Sequence, residues 1–438
     1  MSAASPAGGL IFAVACLGVC LAMPGDRAPA PPKPNILLVI LDDIAERDID
    51  SIPTPNFDAL AATGRRFRRA YGAPSCAPAR WQITFGEFQP LVAPDPCTGS
   101  VDPLDPSPGL LSLPKLMEGA NYSTALFGKW HLGSWPGVLV GAPWQLAAQS
   151  HGYETWQAGL GSNVLGINCP PGLQGTSYTD WYRIDDGAGA FSATYHTDAV
   201  LAAFLAWHAA QVLGEPWFAQ VAFQAPHKPF HAPPGTSPPS NPTNRDLYEL
   251  MVTDVDEALG CLLDSIDTSS TVVLVVGDNG TPVEAISSTQ EASKVKSSTF
   301  EDGIRVPMVW AGPGVVVGME TYELASFVDI LPTIAEIVGT DITPPLGRDG
   351  VSLVPTLADP TFTARSYAWA GLSNGNKDDF AAITSRWKYR ELQRAGFPMQ
   401  AFLFDLEVDP TESINLASMP SYQGMVAELQ PLLELHKP

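Results

Sequence analysis

The chain has 438 residues with 24 Lys+Arg against 46 Asp+Glu, a formal net charge of −22. Its hydrophobic content of 45% and its 11 tryptophans exclude a disordered chain, and its acidity excludes general binding to phosphate backbones. The length is ample for a large buried core.

In chain order, residues 9–22 form an apolar stretch with no charge before Asp26, followed by a proline-rich run at Ala28–Pro34. This is shorter than the roughly 20 residues of a membrane-spanning helix. A secretory signal peptide over 1–24 and a Pro-rich linker over 25–33 are therefore expected, with export to a periplasmic or extracellular space. Cys16 and Cys20 sit in poor lipidation sequences, so a lipid anchor is the weaker reading, and no later segment reads as a transmembrane helix. Cys76, Cys97, Cys169 and Cys261 remain, without CxxC spacing, and a Cys97–Cys169 bridge is expected in an oxidising compartment.

Ile36–Leu41 is a continuous apolar run of the kind that makes a strand buried on both faces, and it ends at Asp42-Asp43. Trp217–Phe223, Thr271–Val276 and Val306–Trp310 repeat the pattern, with Gly277-Asp278-Asn279-Gly280 closing the Thr271–Val276 run. Helices are expected at Asn56–Thr63, Leu113–Gly119, Thr197–Gln211, Arg245–Ile266 and Ala325–Val338. Strands alternating with helices predict an α/β fold: a large mixed, mostly parallel sheet flanked by helices, with ligands at the carboxyl ends of the strands. Gly141–Gly189 and Pro229–Thr243 read as long loops, where Trp144, Trp156, Trp181 and Tyr182 either stack on a substrate ring or pin the loop. Shorter runs at Ser366–Gly371, Phe380–Lys388 and Phe402–Leu406 and a helix at Tyr422–His436 predict a small C-terminal antiparallel-sheet subdomain. The expected division is a catalytic domain over 34–358 and this subdomain over 359–438.

Adjacent carboxylates at a strand end repel unless a cation neutralises them. Asp42-Asp43 and Asp278-Asn279 thus predict a hard divalent ion with oxygen ligands, Ca²⁺ before Mg²⁺, and the absence of histidine at these positions disfavours zinc. Read alone, each pair also fits a turn or a helix N-cap. Cys76 lies between Pro74 and Pro78 with Arg80 four residues on, either an arranged cysteine or a small buried hydrophobe. Lys129 and His131 stand two apart and project from one side if the loop is extended, His227 follows a strand, and Lys296 precedes a strand. Each alone is more often structural, but together they point to an anion bound beside a metal.

These residues carry a resemblance. Cys76-Ala77-Pro78-Ala79-Arg80 matches the CxPxR signature of the sulfatase family, within the alkaline phosphatase superfamily. Gly128–Gly133 (GKWHLG), Ala225–Pro233 (APHKPFHAP), Asp278-Asn279-Gly280 and Lys296–Pro307 follow in the family's order. The resemblance implies an alkaline-phosphatase-like fold and sulfate-ester hydrolysis through formylglycine, made from Cys76 by a modifying enzyme. It implies Ca²⁺ held by Asp42, Asp43, Asp278, Asn279 and the modified Cys76. The hydrated formylglycine attacks sulfur, Arg80, Lys129 and His131 orient it, and His227 and Lys296 hold sulfate oxygens, His227 also protonating the leaving alkoxide. The implied substrate is a sulfated carbohydrate or small aryl sulfate. Departures are Phe85-Gly86-Glu87 where Thr-Gly is usual, Asp302 in place of a glycine, and Gly277 where Ser or Thr is common. Lys294 competes with Lys296, and Lys228 and His231 read equally as substrate contacts and as solvated loop residues. The alternatives are a phosphonate or phosphodiester hydrolase on the same scaffold, against which Asn279 argues, and a binder of sulfated glycans in which Cys76 stays unmodified.

Overall fold

The computed structural model describes residues 33–89, 110–132, 146–164, 175–340 and 349–438, and the backbone of a short ribbon at 92–94 and 101–103. The leader, Cys97, Cys169 and Trp144 lie outside the described residues. Pro34–Pro438 form one compact unit. Among the described residues its strands are β1 (Asn35–Leu41), β2 (Arg65–Tyr71), β3 (Val92–Pro94), β4 (Val101–Pro103), β5 (Ser123–Lys129), β6 (Thr155–Leu160), β7 (Trp181–Asp185), β8 (Ala188–Ser192), β9 (Trp217–Ala222), β10 (Thr271–Gly277), β11 (Arg305–Val306), β12 (Met308–Ala311) and β13 (Met319–Ser326). The main sheet runs β11-β2-β12-β10-β1-β9-β5-β6-β7-β8, with β13 also paired to β2. Its centre, β10-β1-β9-β5-β6, is parallel. β12 and β7 run antiparallel to their neighbours on either side, so the sheet is mixed.

The apolar run of β1 follows from two-sided burial. Ile36, Leu38 and Ile40 enter one core while Leu37, Val39 and Leu41 enter the other. Each such side chain contributes about 1.5–3 kcal/mol when fully buried. Helix Asn244–Ser265, started by a capping box of Thr243 and Asp246, covers one face with Met251, Val255, Leu259 and Leu262. Helices Cys76–Phe85 and Ile330–Ile337 cover the other.

Several boundaries differ from the sequence reading. Val306–Trp310 is two strands because Pro307 has no N–H to donate, and its carbonyl instead accepts from Gly277 N at 3.0 Å. Ala325–Val338 begins as the end of β13, and the helix proper starts only at Ile330. The stretch 141–189 is not simply a loop, since it contains a short helix, Ala147–Ser150, with β6, β7 and the start of β8. Asp186 (φ 47°) and Gly187 (φ 87°) make the tight β7–β8 turn, an Asp-Gly hairpin signal hidden by the glycine-rich surroundings. Trp156 and Trp181 are fully buried and pin this region, donating to Gly128 O and Thr194 O at 3.0 and 2.8 Å, so neither stacks on a ligand.

The C-terminal antiparallel sheet has the order β14 (Ala368–Ser373), β15 (Lys377–Ile383), β16 (Trp387–Arg394), β17 (Gln400–Asp405). The predicted run Phe380–Lys388 is the β15–β16 turn and its flanks, because Thr384 Oγ1 accepts from Trp387 N at 2.9 Å and folds the chain back. Helix Gln423–Glu434 packs on this sheet through Leu429 and Leu433.

Candidate active site

Four parallel strands deliver the expected residues to one edge of the sheet. Asp42 and Asp43 follow β1, Asp278 and Asn279 follow β10, Lys129 ends β5, and His227 lies five residues beyond β9. Cys76 is the first residue of helix Cys76–Phe85, which places Arg80 one turn on. Cys76 Sγ lies 3.2 Å from Asp42 Oδ1, 3.5 Å from Asp43 Oδ1 and 3.3 Å from Lys296 Nζ. Arg80 donates to Asp278 Oδ2 at 3.1 Å and to Lys129 O at 2.8 Å. Lys129 Nζ donates to Asp42 Oδ2, and Lys296 Nζ to Asp43 Oδ1 at 2.5 Å. His227 Nε2 stands 3.8 Å from Asp43 Oδ2.

Three residues of the site and its flank have unusual backbone. Asp43 (φ 69°), His131 (φ 58°) and Ser297 (φ 71°) all adopt the left-handed region, which is costly for non-glycine residues and clusters at functional sites. The φ of His131 replaces the expected extended loop with a sharp bend. His131 is nonetheless buried at the site and feels Lys129, Arg80, His227 and Lys296. Gly280 is required by close approach, since a Cβ there would lie 1.9 Å from Asp302 O. Gly277, unusual beside the family pattern, is explained likewise, because a Cβ would meet Ile44 O at 2.6 Å.

Burial raises the Asp42 and Asp43 carboxyls, but Lys129 and His227 at the first and Lys296 and His227 at the second outweigh it and hold both below the usual range. For Asp278, burial and then Asp42 win and push it up. Burial, then Asp278 and Asp42, also push the Cys76 thiol well up, so it stays protonated. Burial lowers His227 and His131, with Asp43 opposing at His227 and Lys129 adding at His131.

The donor set fits a hard divalent cation. Ligand atoms of Asp42, Asp43, Cys76 and Asp278 lie within 4.8 Å of one another, and buried Asn279 Oδ1 has no hydrogen-bond partner among the described residues. Its Nδ2 donates to Asp43 Oδ1 at 2.7 Å, which fixes the carboxamide's orientation. Three carboxylates (Asp42, Asp43, Asp278) balance three cations (Arg80, Lys129, Lys296), so a divalent ion leaves the site positive and matched to an anion.

Other candidates are engaged elsewhere. Lys294 pairs with Glu291 and donates to the carbonyls of Thr411 and Glu412, which leaves the site to Lys296. Half-exposed Lys228 pairs with Glu284 at 2.8 Å, and His231 contacts Tyr195 OH and Pro229 O. Sequence reasoning missed Tyr248, whose hydroxyl donates to Asp43 O at 2.9 Å, and Tyr178, whose hydroxyl holds His227 O at 2.6 Å. Neither residue carries a motif. It also missed Asn163 and Gln224, a lone carboxamide in the supposed loop and another ending an apolar run.

Comparison with known proteins decides the family. The sulfatase family model matches residues 34–340. The chain belongs to the sulfatase family. It is 28% identical to human (Homo sapiens) N-acetylgalactosamine-6-sulfatase over 410 residues, covering 82% of this chain and 74% of that one. Against arylsulfatase A of Bos taurus the identity is 27% over 460 residues, covering 90% and 85%. The crystal structure of Ps i-CgsB superposes with a TM-score of 0.76 at 24% identity over 92% of both chains. That of BT4656 in complex with its substrate D-glucosamine-2-N,6-O-disulfate gives 0.71 at 18% identity over 92% and 97%. The fold is thus that of sulfatases, and this sulfatase is an enzyme that hydrolyses sulfate esters.

Proposed function

We propose that this sulfatase cleaves sulfate esters of a carbohydrate, with Cys76, oxidised to formylglycine, as its nucleophilic position and Ca²⁺ held by Asp42, Asp43, Asp278 and Asn279. The observation that carries this reading is the convergence on Cys76 of carboxylates from two strand ends with Lys296, Lys129 and Arg80 in one buried cluster. When present, the metal supplies charge that offsets the sulfuryl oxygens, and hydrated formylglycine supplies a hydroxyl nucleophile.

The chain's own residues do the rest. Arg80, Lys129 and His131 hold and orient the group at position 76. Lys296, its ammonium kept charged by Asp43, binds sulfate oxygens. His227 Nδ1 lies 2.8 Å from Lys228 O, and a carbonyl only accepts, so Nδ1 carries the hydrogen and Nε2 is the nitrogen that delivers a proton to the leaving alkoxide. Burial keeps this imidazole's affinity for protons low, which makes its imidazolium a strong acid. A sulfated carbohydrate is favoured because one relative is named N-acetylgalactosamine-6-sulfatase and BT4656 is described in complex with its substrate D-glucosamine-2-N,6-O-disulfate.

Export and encounter with a formylglycine-generating enzyme belong to the same proposal. Among the described residues no helix is long and apolar enough to cross a membrane. Turnover of aryl sulfates against aryl phosphonates by the wild type and by Cys76→Ala tests the reading. The expected outcome is preference for sulfate and a loss of at least about 10³-fold in the variant. Preference for phosphonate, or full activity in Cys76→Ala, would overturn it.

A further inference from the structure

We infer that Asn163 is a positioning residue that sets the direction of the Lys129 ammonium, a role that rests on the active-site reading above. Lys129 is fully buried, and an ammonium has three hydrogens to place. One goes to Asp42 Oδ2 and a second to Asn163 Oδ1 at 2.8 Å. With two hydrogens tethered, tetrahedral geometry fixes the third, which serves the group at position 76. Without Asn163 the ammonium is free to rotate about its one remaining tether.

The fold delivers Asn163 to this position by backbone pairing. Trp130 N donates to Leu160 O and His131 N to Gly161 O, both at 2.9 Å, which carries the β5–β6 pairing past the end of β5 and brings residues 160–163 alongside 129–131. The same carboxamide oxygen accepts from Gln224 Nε2 at 3.3 Å. Gln224 is fully buried, and its backbone carbonyl accepts from His227 N at 2.9 Å, closing the turn that presents His227. Asn163 therefore braces three strand ends, those of β5, β6 and β9. Asp42 supplies Lys129 with a counter-charge, whereas Asn163 supplies direction without charge. A neutral acceptor suits this place, because a further carboxylate would repel an anionic ester.

The test compares Asn163→Ala and Asn163→Asp with the wild type and Cys76→Ala, all as full chains. The readouts are melting temperature, affinity for inorganic sulfate by calorimetry, and kcat and KM on 4-nitrophenyl sulfate. For Asn163→Ala the expected kcat is about ten- to a hundredfold lower, with KM and sulfate affinity within about twofold of wild type and melting lowered by only a few degrees, since Gln224 Nε2 also loses its acceptor. Asn163→Asp, which keeps the oxygen acceptor, is expected to retain kcat within about threefold while binding sulfate at least about tenfold more weakly. A kcat within twofold of wild type in Asn163→Ala overturns the inference, as does a fall in sulfate affinity parallel to the fall in kcat, which would make Asn163 a substrate ligand. Turnover by Cys76→Ala instead overturns the underlying reading, whatever the Asn163 variants do.

Discussion

The cluster around Cys76 and the cluster around Lys388 are both buried and both mix acids with bases, yet their hydrogen bonding differs. Lys388 Nζ reaches Glu301 Oε1 at 2.7 Å and Glu412 Oε1 at 2.9 Å, and Glu412 Oε2 accepts from Glu301 N at 2.6 Å. Next to it Arg390 holds both oxygens of Asp379 at 2.8 Å, Thr299 donates to the same carboxylate, and the guanidinium lies 4.1 Å from the Phe300 ring centroid. These acids and bases satisfy one another and tie the second sheet to the segment that follows Lys296. Around Cys76, by contrast, Asn279 Oδ1 and Arg80 Nε have no hydrogen-bond partner among the described residues, and three carboxylates crowd one another. A charged cluster that closes on itself holds a fold together, and one that leaves polar groups open is built for a ligand.

Substitutions sharpen that difference. Cys76→Ala is expected to abolish turnover, but it trades one small buried side chain for another, so its melting temperature is expected to stay within a few degrees of wild type. Lys388→Met should do the reverse: it strands Glu301 and Glu412 as buried acids and is expected to cost about 3–5 kcal/mol in denaturant unfolding. Its kcat per folded molecule should remain within a few-fold of wild type. A Lys388→Met chain that melts normally but fails to turn over would erase the distinction between the clusters.

A smaller effect is expected at Glu46, the first residue of the short helix Glu46–Ser51 that follows β1. Burial pushes its carboxyl up to about 7, against the pull of Arg66 and Arg68. The folded protein therefore holds this proton more tightly than the unfolded chain. The resulting stability is fully present below about pH 4.5 and is lost as the pH rises through about 7, a contribution of roughly 3 kcal/mol. Glu46→Gln should flatten the stability profile across that window. An unchanged slope would show that another group titrates there.

Much of this was legible in the sequence because burial and charge leave plain marks. β1, β9 and β10 are apolar on both faces and had to be central strands, and the acid pairs at the ends of β1 and β10 had no apolar reason to be there. β2 was not legible, since Arg65, Arg66, Arg68 and Arg69 look like a solvated run; Arg65 and Arg66 are in fact buried, and Arg66 pairs with Glu46 at 2.9 Å. The second sheet was visible, but its register was not, because that depends on a turn closed by the backbone bond from Thr384 N to Trp387 O together with the Thr384 hydroxyl. In the site, the ten residues named from motifs converge in space, whereas Tyr178, Tyr248, Asn163 and Gln224 act through one or two hydrogen bonds each and leave no pattern in a single chain.

The central claim is that position 76 is an aldehyde in the working enzyme. Mass analysis of the peptide spanning Cys76, from a preparation whose turnover has been measured, tests it most directly. Formylglycine is expected in proportion to specific activity, and an unmodified thiol throughout a fully active preparation would contradict this.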